Sequence, residues 1–319
     1  MRGDDIDSSA MTLITSYTCP RAVKCPGRTT ERLGRGPPTA GMVHSDWGDW
    51  LPAAVAAADP DGIAVWYLGC NGVILKASDG TTLFVDPYLG TGDPPRTVRM
   101  IPVPFDPRDV SDADAVLATH EHTDHVHGPS QAPLLADTGC SLYAPEASIA
   151  VARDDERWQD DYAVTTDQYR RVAVGDTYDI GSFTVHVTPA HDPDAVQPVS
   201  YVFEHDAGTV FHGGDTKPAD ALAEIGAAHD IDVGILAFGS TGEIPDKQTR
   251  EPSVTTWYNT ETEVVACANA LQLDRLVPTH WDMWKGLTAD PTALHAHTRS
   301  MASPQRLDVV EIGDRIDVS

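Results

Sequence analysis

Apolar positions along the chain fall into short runs, cut by Gly, Asp, Asn and Pro. Residues 63–69 (IAVWYLG), 71–78 (NGVILKAS) and 81–89 (TTLFVDPYL) are dense in β-branched and aromatic side chains, the composition of buried strands. The intervening SDGT is a hairpin-turn sequence, so the three runs predict a meander. Residues 113–119 (ADAVLAT) predict a short buried strand stopping at His120. Residues 170–192 predict strand, turn, strand, ending at His191, and 199–216 predict a hairpin closing at Asp215. DVGILAFGS (232–240) and DRLVPTH (274–280) read as buried strands, the second ending at His280. LDVVEIGD (307–314) reads as the last strand. Helical signals are fewer. SDWGDWLPAAVAAADP (45–60) has Pro52 near a first turn, an alanine-rich body and a stop at Asp59-Pro60. TETEVVACANALQL (260–273) is amphipathic.

Hairpins interleaved with helices predict two packed sheets with helices outside. Residues 1–44 differ: Gly, Pro, Arg, Ser and Thr dominate CPGRTTERLGRGPPTAG, and no apolar period survives. The division expected is a disordered extension over 1–44 and one domain over 45–319, with Met42 opening the ordered-looking part.

Composition narrows the setting. The chain carries 48 acidic against 22 basic residues, net −26, and its lysines are only Lys24, Lys76, Lys217, Lys247 and Lys285. Such a surface repels nucleic acid and anionic membranes. It also repels itself unless salt screens it, and at molar salt the Debye length is only about 3 Å. A salt-adapted protein is the expectation. No apolar run reaches 18 residues, and the N-terminus has acids where a secretory signal needs bases, so a cytoplasmic location is expected. Five cysteines at irregular spacing form no disulfide framework.

The chemistry concentrates where strands stop. His120, His191, Asp215 and His280 each end an apolar run, and polar side chains gathered at strand ends are how sheets build sites. In LATHEHTDHVHG (117–128), His120, His122, Asp124 and His125 lie within six positions. Imidazole with carboxylate suits Zn, Mn or Fe. One ion rarely takes four ligands so close in sequence, so two adjacent ions are expected. His127, just past the string, reads as outside the ligand set, and His186, alternating with valines, as a sheet-face residue.

THEHTDH, followed in order by PAHD, HGGDT and PTH, resembles the metallo-β-lactamase superfamily over roughly residues 62–313. The resemblance implies an α/β fold: an αββα sandwich of two mixed sheets flanked by helices. It implies that His120, His122 and His191 hold one metal, that Asp124, His125 and His280 hold a second, and that Asp215 bridges both. Asp86 would orient ligands from behind. Within the superfamily, SDWGDWL, WYLGCNG, DADAVLATHEHTDH and FGSTGE resemble the L-ascorbate-6-phosphate lactonase-like group. The loop EIPDKQTREPSVTTWYNTET departs from that group, so metal chemistry should carry over better than substrate choice.

The expected activity is hydrolysis of a lactone or ester of a small, phosphorylated or otherwise anionic sugar acid, by attack of a metal-bridging hydroxide. The resemblance puts Mn first and Zn next. Asp124 and Asp215 would act catalytically, and His212 or a water on the second metal would protonate the leaving group. Lys217, Lys247 and Arg250 are the candidate anchors for substrate. A phosphodiesterase or nuclease is the alternative enzyme, disfavoured by the acidic surface. A non-catalytic metal-binding regulator is the alternative of another class. No nucleic-acid or membrane partner is expected; self-association is.

Overall fold

A computed structural model describes residues 43–239, 241–246, 248–299 and 301–319. The first half runs α1 (Trp50–Ala57), β1 (Ile63–Gly69), β2 (Gly72–Ala77), β3 (Thr82–Val85), β4 (Ala115–Leu117), α2 (Gly128–Thr138), β5 (Ser141–Ala144), α3 (Glu146–Asp154), α4 (Arg157–Asp160) and β6 (Tyr169–Arg171). The second runs β7 (Thr177–Ile180), β8 (Phe183–Pro189), β9 (Val199–His205), β10 (Gly208–His212), α5 (Ala221–Ala228), β11 (Val233–Ala237), β12 (Gly242–Pro245), β13 (Pro252–Thr255), α6 (Glu261–Ala270), β14 (Arg275–Thr279), α7 (Leu294–Thr298), β15 (Arg306–Leu307) and β16 (Arg315–Val318).

Two seven-stranded mixed sheets result, ordered β16-β1-β2-β3-β4-β5-β6 and β15-β14-β11-β10-β9-β8-β7, with β12-β13 a separate hairpin. Alternation along the strands sorts the side chains into layers. Val65, Val85 and Leu117 from the first sheet share one core with Val187, Tyr201 and Ile235 from the second. The opposite faces carry Trp66, Phe84 and Val116 beneath α1 to α4, and Phe211, Leu236 and Leu276 beneath α5 to α7. The αββα sandwich expected from sequence is therefore the fold. Each fully buried aliphatic or aromatic side chain in these layers contributes about 1.5–3 kcal/mol.

Local chemistry sets the connections. In the β2–β3 turn Asp79 accepts the Thr81 N–H at 2.9 Å, and Gly80 takes the left-handed backbone that the turn needs. Thr260 and Glu263 form a reciprocal capping box that starts α6. The Lys76 ammonium, buried, donates to the Val55 and Ala56 carbonyls in the last turn of α1.

The final strand is not where the apolar pattern put it. Residues 308–314 form a loop closed by the Asp314 N–H to Glu311 carbonyl bond, and β16 follows it to pair with β1. Val310 and Ile312 still pack against the core between the sheets, so a loop meets the apolar pattern read as a strand. Of the extension expected over 1–44, residues 1–42 lie outside the described residues, as do Cys19 and Cys25. Val43 is buried against the first sheet's helical layer. No helix among the described residues is long and apolar enough to cross a membrane.

Candidate metal centre

After β4 the chain turns sharply. The His125 and Val126 N–H groups both donate to the His122 carbonyl, which folds His120, His122, Asp124 and His125 into one small loop. The second sheet supplies the rest: Asp192 lies past β8, Asp215 past β10 and His280 past β14. Gly214, beside Asp215, has φ +56°, and a Cβ there would sit 2.8 Å from Thr119 Oγ1. The glycine lets the second sheet's loop approach the first sheet's.

Two abutting groups of donors form. In one, His120 Nε2 and His122 Nδ1 are 2.9 Å apart, with Asp192 Oδ2 at 3.6 and 3.5 Å from them and Asp215 Oδ2 at 3.9 Å from His120. In the other, His125 Nε2 lies 3.3 Å from Asp215 Oδ2, and His280 Nε2 lies 3.4 Å from Asp215 Oδ1 and 3.7 Å from Asp124 Oδ2. Cys70 Sγ completes the second group, 3.4 Å from His280 Nε2 and 3.5 Å from Asp124 Oδ2. Asp215 thus faces both groups: Oδ2 lies between His120 and His125, and Oδ1 faces His280.

A layer of hydrogen bonds behind the donors fixes their orientation. Asp86 is fully buried. It accepts the Thr119 N–H at 2.8 Å, the Thr119 hydroxyl at 2.7 Å and His125 Nδ1 at 2.8 Å. The Thr119 oxygen, 3.0 Å from His120 Nδ1, can in turn accept that proton. Both rings are then held as tautomers with Nε2 turned into the site. Asn71 donates to Asp215 Oδ1 at 3.3 Å and accepts the Thr279 hydroxyl at 2.6 Å. Tyr258 stacks on His280 with centroids 3.9 Å apart, and its hydroxyl accepts the Trp284 indole N–H. Cys70, Asp86 and His280 adopt φ of 58°, 46° and 66°. This left-handed backbone costs a non-glycine residue on the order of 1–2 kcal/mol.

Electrostatics point to a cation. Burial alone would raise the Asp215 carboxyl, but His125, His280 and His120 overcome it and hold the group ionised. Asp124 is likewise held low by His125 and His280 against burial. Burial and the neighbouring His125 push His120 down to about 3, so it presents a lone pair. His280 is lowered by burial despite Asp215 and Asp124. His125 alone goes up, because Asp215, Asp86 and Asp124 outweigh its burial. Its Nε2 is nevertheless buried without a hydrogen bond of good geometry. Several buried carboxylates, neutral imidazoles and an orphaned ring nitrogen aimed among them fit divalent metal ions.

Most of the predicted site residues meet here: His120, His122, Asp124, His125, Asp215 and His280, with Asp86 behind. His191 does not. It is exposed, and its backbone rather than its ring is engaged, donating to Thr216 Oγ1 and accepting from the Lys217 N–H. The neighbouring Asp192 takes the inward position. One of its oxygens accepts the Asp194 N–H in a tight turn and the other faces His120 and His122. The Asp-Pro-Asp turn sequence was the available signal. His212 is also placed otherwise than expected. It is fully buried, donating from Nε2 to the Asn71 carbonyl at 2.8 Å and accepting the Gly214 N–H at Nδ1. With both nitrogens engaged, it positions the Asn71 and Gly214 backbone and cannot protonate a leaving group. Lys217 is half-buried, with Nζ 3.4 Å from the Tyr258 carbonyl. Arg250 is exposed, 3.9 Å from Asp93, and Lys247 lies outside the described residues. Cys70, Asn71, Asp192 and Tyr258 were missed by sequence reasoning as members of the site.

Comparison with known proteins agrees with this architecture. The sequence model of the family described as "Beta-lactamase superfamily domain" matches residues 81–281. The chain is 28% identical over 289 residues to the probable L-ascorbate-6-phosphate lactonase UlaG of Salmonella gallinarum, covering 77% of each chain. Among solved structures, the metallo hydrolase Igni18 of the archaeon Ignicoccus hospitalis superposes with a TM-score of 0.59 at 17% identity. That match covers 81% of this chain and 98% of the other. The isothiocyanate hydrolase from Delia radicum gut bacteria gives the same TM-score and identity, over 80% and 99%. The chain belongs to the metallo-β-lactamase superfamily, whose fold implies divalent metal ions.

Proposed function

We propose that this member of the metallo-β-lactamase superfamily is a dinuclear metal-dependent hydrolase that opens a lactone or ester of a small anionic sugar acid. The observation that carries the reading is the pair of donor groups sharing Asp215, in a chain similar along three-quarters of its length to a protein named as a lactonase. His120, His122, Asp192 and Asp215 would hold one ion; Asp124, His125, His280 and Asp215 the other. When bound, such a pair supplies Lewis acidity and makes hydroxide available near neutral pH.

The chain's own residues do the rest. Asp124, held ionised, accepts and passes on the proton of the attacking water. Asp86 and Thr119 keep the His125 and His120 lone pairs directed inward. Lys217, two positions past Asp215, offers its ammonium to an anionic substituent of the substrate, and Arg250 is a more distant candidate for the same charge. Imidazole and carboxylate donors are compatible with Mn, the first expectation. The Cys70 thiol adds a soft donor that favours Zn in the second group. Metal analysis of the wild type and Cys70→Ser after growth in both metals separates these: loss of Zn in the variant supports the thiol as ligand, unchanged content refutes it.

The activity test is proton release at constant pH in molar KCl with Mn or Zn. Substrates are L-ascorbate 6-phosphate, unphosphorylated L-ascorbate and a chromogenic phosphodiester, with Asp215→Asn alongside. Metal-dependent turnover of the phosphorylated lactone, lost in the variant, is expected. Turnover of the diester alone would move the protein to phosphodiester hydrolysis. Silence on all three with metals bound would refute the substrate assignment.

A further inference from the structure

The second sheet carries a cluster of donors apart from the centre. His186 on β8, Glu204 on β9 and His229, which closes α5, converge. His186 Nε2 lies 2.9 Å from Glu204 Oε2, and His229 Nδ1 lies 2.7 Å from Glu204 Oε1. The two rings stand with centroids 5.0 Å apart. One donor atom from each of the three residues falls within 4.8 Å of the others.

Strand alternation puts the histidine there. Val185 and Val187 face the core between the sheets, so His186 faces the opposite side, where its cross-strand partner Val202 joins the apolar layer beneath α5 and α6. The histidine side chains keep only 25% and 15% of their exposure, and Glu204 keeps 40%, so water and ions reach the cluster. On its far side, His186 Nδ1 lies 3.2 Å from Thr177 Oγ1. Thr177 fixes the ring from its outer side; a cation would displace the proton that Nε2 now shares with Glu204 and shift it to Nδ1, facing Thr177 Oγ1.

We propose that His186, Glu204 and His229 form a second, structural site for a divalent transition ion of the Zn, Ni or Cu class, stapling the end of α5 to β8 and β9. Two imidazoles and one carboxylate are the donors such ions prefer over Ca or Mg. A tetrahedral ion with bonds of about 2.0–2.1 Å holds its ligand atoms roughly 3.3 Å apart. His186 and His229 meet different oxygens of Glu204, so loading opens the 2.9 and 2.7 Å separations and turns the carboxylate to present one oxygen to the ion, a side-chain adjustment at a partly exposed cluster. Water takes the fourth position. The staple bears on the centre indirectly, because α5 begins just beyond the loop that carries Asp215 and Lys217.

The test is equilibrium dialysis of the full chain against Zn or Ni, followed by metal analysis. The wild type is compared with Glu204→Gln and with the double variant His186→Ala/His229→Ala. Each variant is expected to hold one equivalent less than the wild type and to retain the remainder. With Cu, the wild type should show one two-imidazole electron-spin resonance component more than the His186→Ala/His229→Ala variant, whose remaining signal comes from the centre. Equal stoichiometry and equal spectra in folded variants would overturn the proposal and leave a hydrogen-bonded His-Glu-His triad. Should the double variant fail to fold, Glu204→Gln, which keeps the side chain's shape, decides alone. No activity measurement enters, so the outcome is independent of the hydrolase reading.

Discussion

Replacing Asp86 by Asn changes one oxygen for an amino group inside the layer that supports the metal centre. The carboxylate accepts three hydrogen bonds, from the Thr119 N–H, the Thr119 hydroxyl and His125 Nδ1, and it is fully buried. Asparagine has one acceptor oxygen. With its amino group on the Thr119 N–H, two donors face each other. With the amino group on the other side, His125 must move its proton to Nε2, which removes the lone pair turned toward the site. Either conflict strands a buried polar group, costing about 1–3 kcal/mol. Loss of such an outer partner typically weakens metal binding 10–100-fold, about 1.4–2.8 kcal/mol at about 1.4 kcal/mol per decade. Chelator competition measures the dissociation constants of Asp86→Asn and wild type, and circular dichroism melts of both apo forms give the structural cost. A folded variant that binds metal as tightly as the wild type would refute the claim that Asp86 sets the His125 tautomer.

Three further outcomes are expected. Lys76→Met keeps the buried stem but removes the cation from the α1 carbonyls, and should lower stability by about 1–3 kcal/mol in urea unfolding; an unchanged midpoint would show that those carbonyls need no ammonium. His127 is pushed down to about 4 by burial and by Arg157, so the unfolded chain takes up a proton below about 6.5 that the folded protein refuses. Stability should therefore fall as pH drops from about 6.5 to 4, by up to roughly 3 kcal/mol from this group, and His127→Gln should flatten that window. With a net charge of −26, the melting temperature should rise steeply from low to molar KCl, and a flat series would refute salt adaptation.

The strands were legible because alternation and turn residues speak locally: Val65 and Trp66 face opposite layers, as their neighbours require. The convergence of the string from His120 to His125 was legible because its candidate donors are close in the chain. The Asp192 and His191 exchange was not. Adjacent residues point opposite ways, and the deciding bonds run to Asp194, Thr216 and Lys217. Cys70 and Asn71 were invisible as site members because their partners, Asp124, Asp215 and His280, are 54 to 210 positions away. The role of His212 failed for the same reason: the Asn71 carbonyl that engages it belongs to the other sheet.

Neither sheet alone holds a complete donor set. Cys70, His120, His122, Asp124 and His125 come from the first, Asp192, Asp215 and His280 from the second, and β16 returns from the chain's end to complete the first sheet. A nascent chain thus passes through most of its synthesis without anything that grips an ion as the finished protein would. Loading becomes a late event in biogenesis, chosen by whichever ions surround the assembled protein rather than by those met at the ribosome. A wrong ion acquired in a heterologous host is then expected to be a problem of exchange in the folded protein, which dialysis against a chelator followed by the intended ion would test.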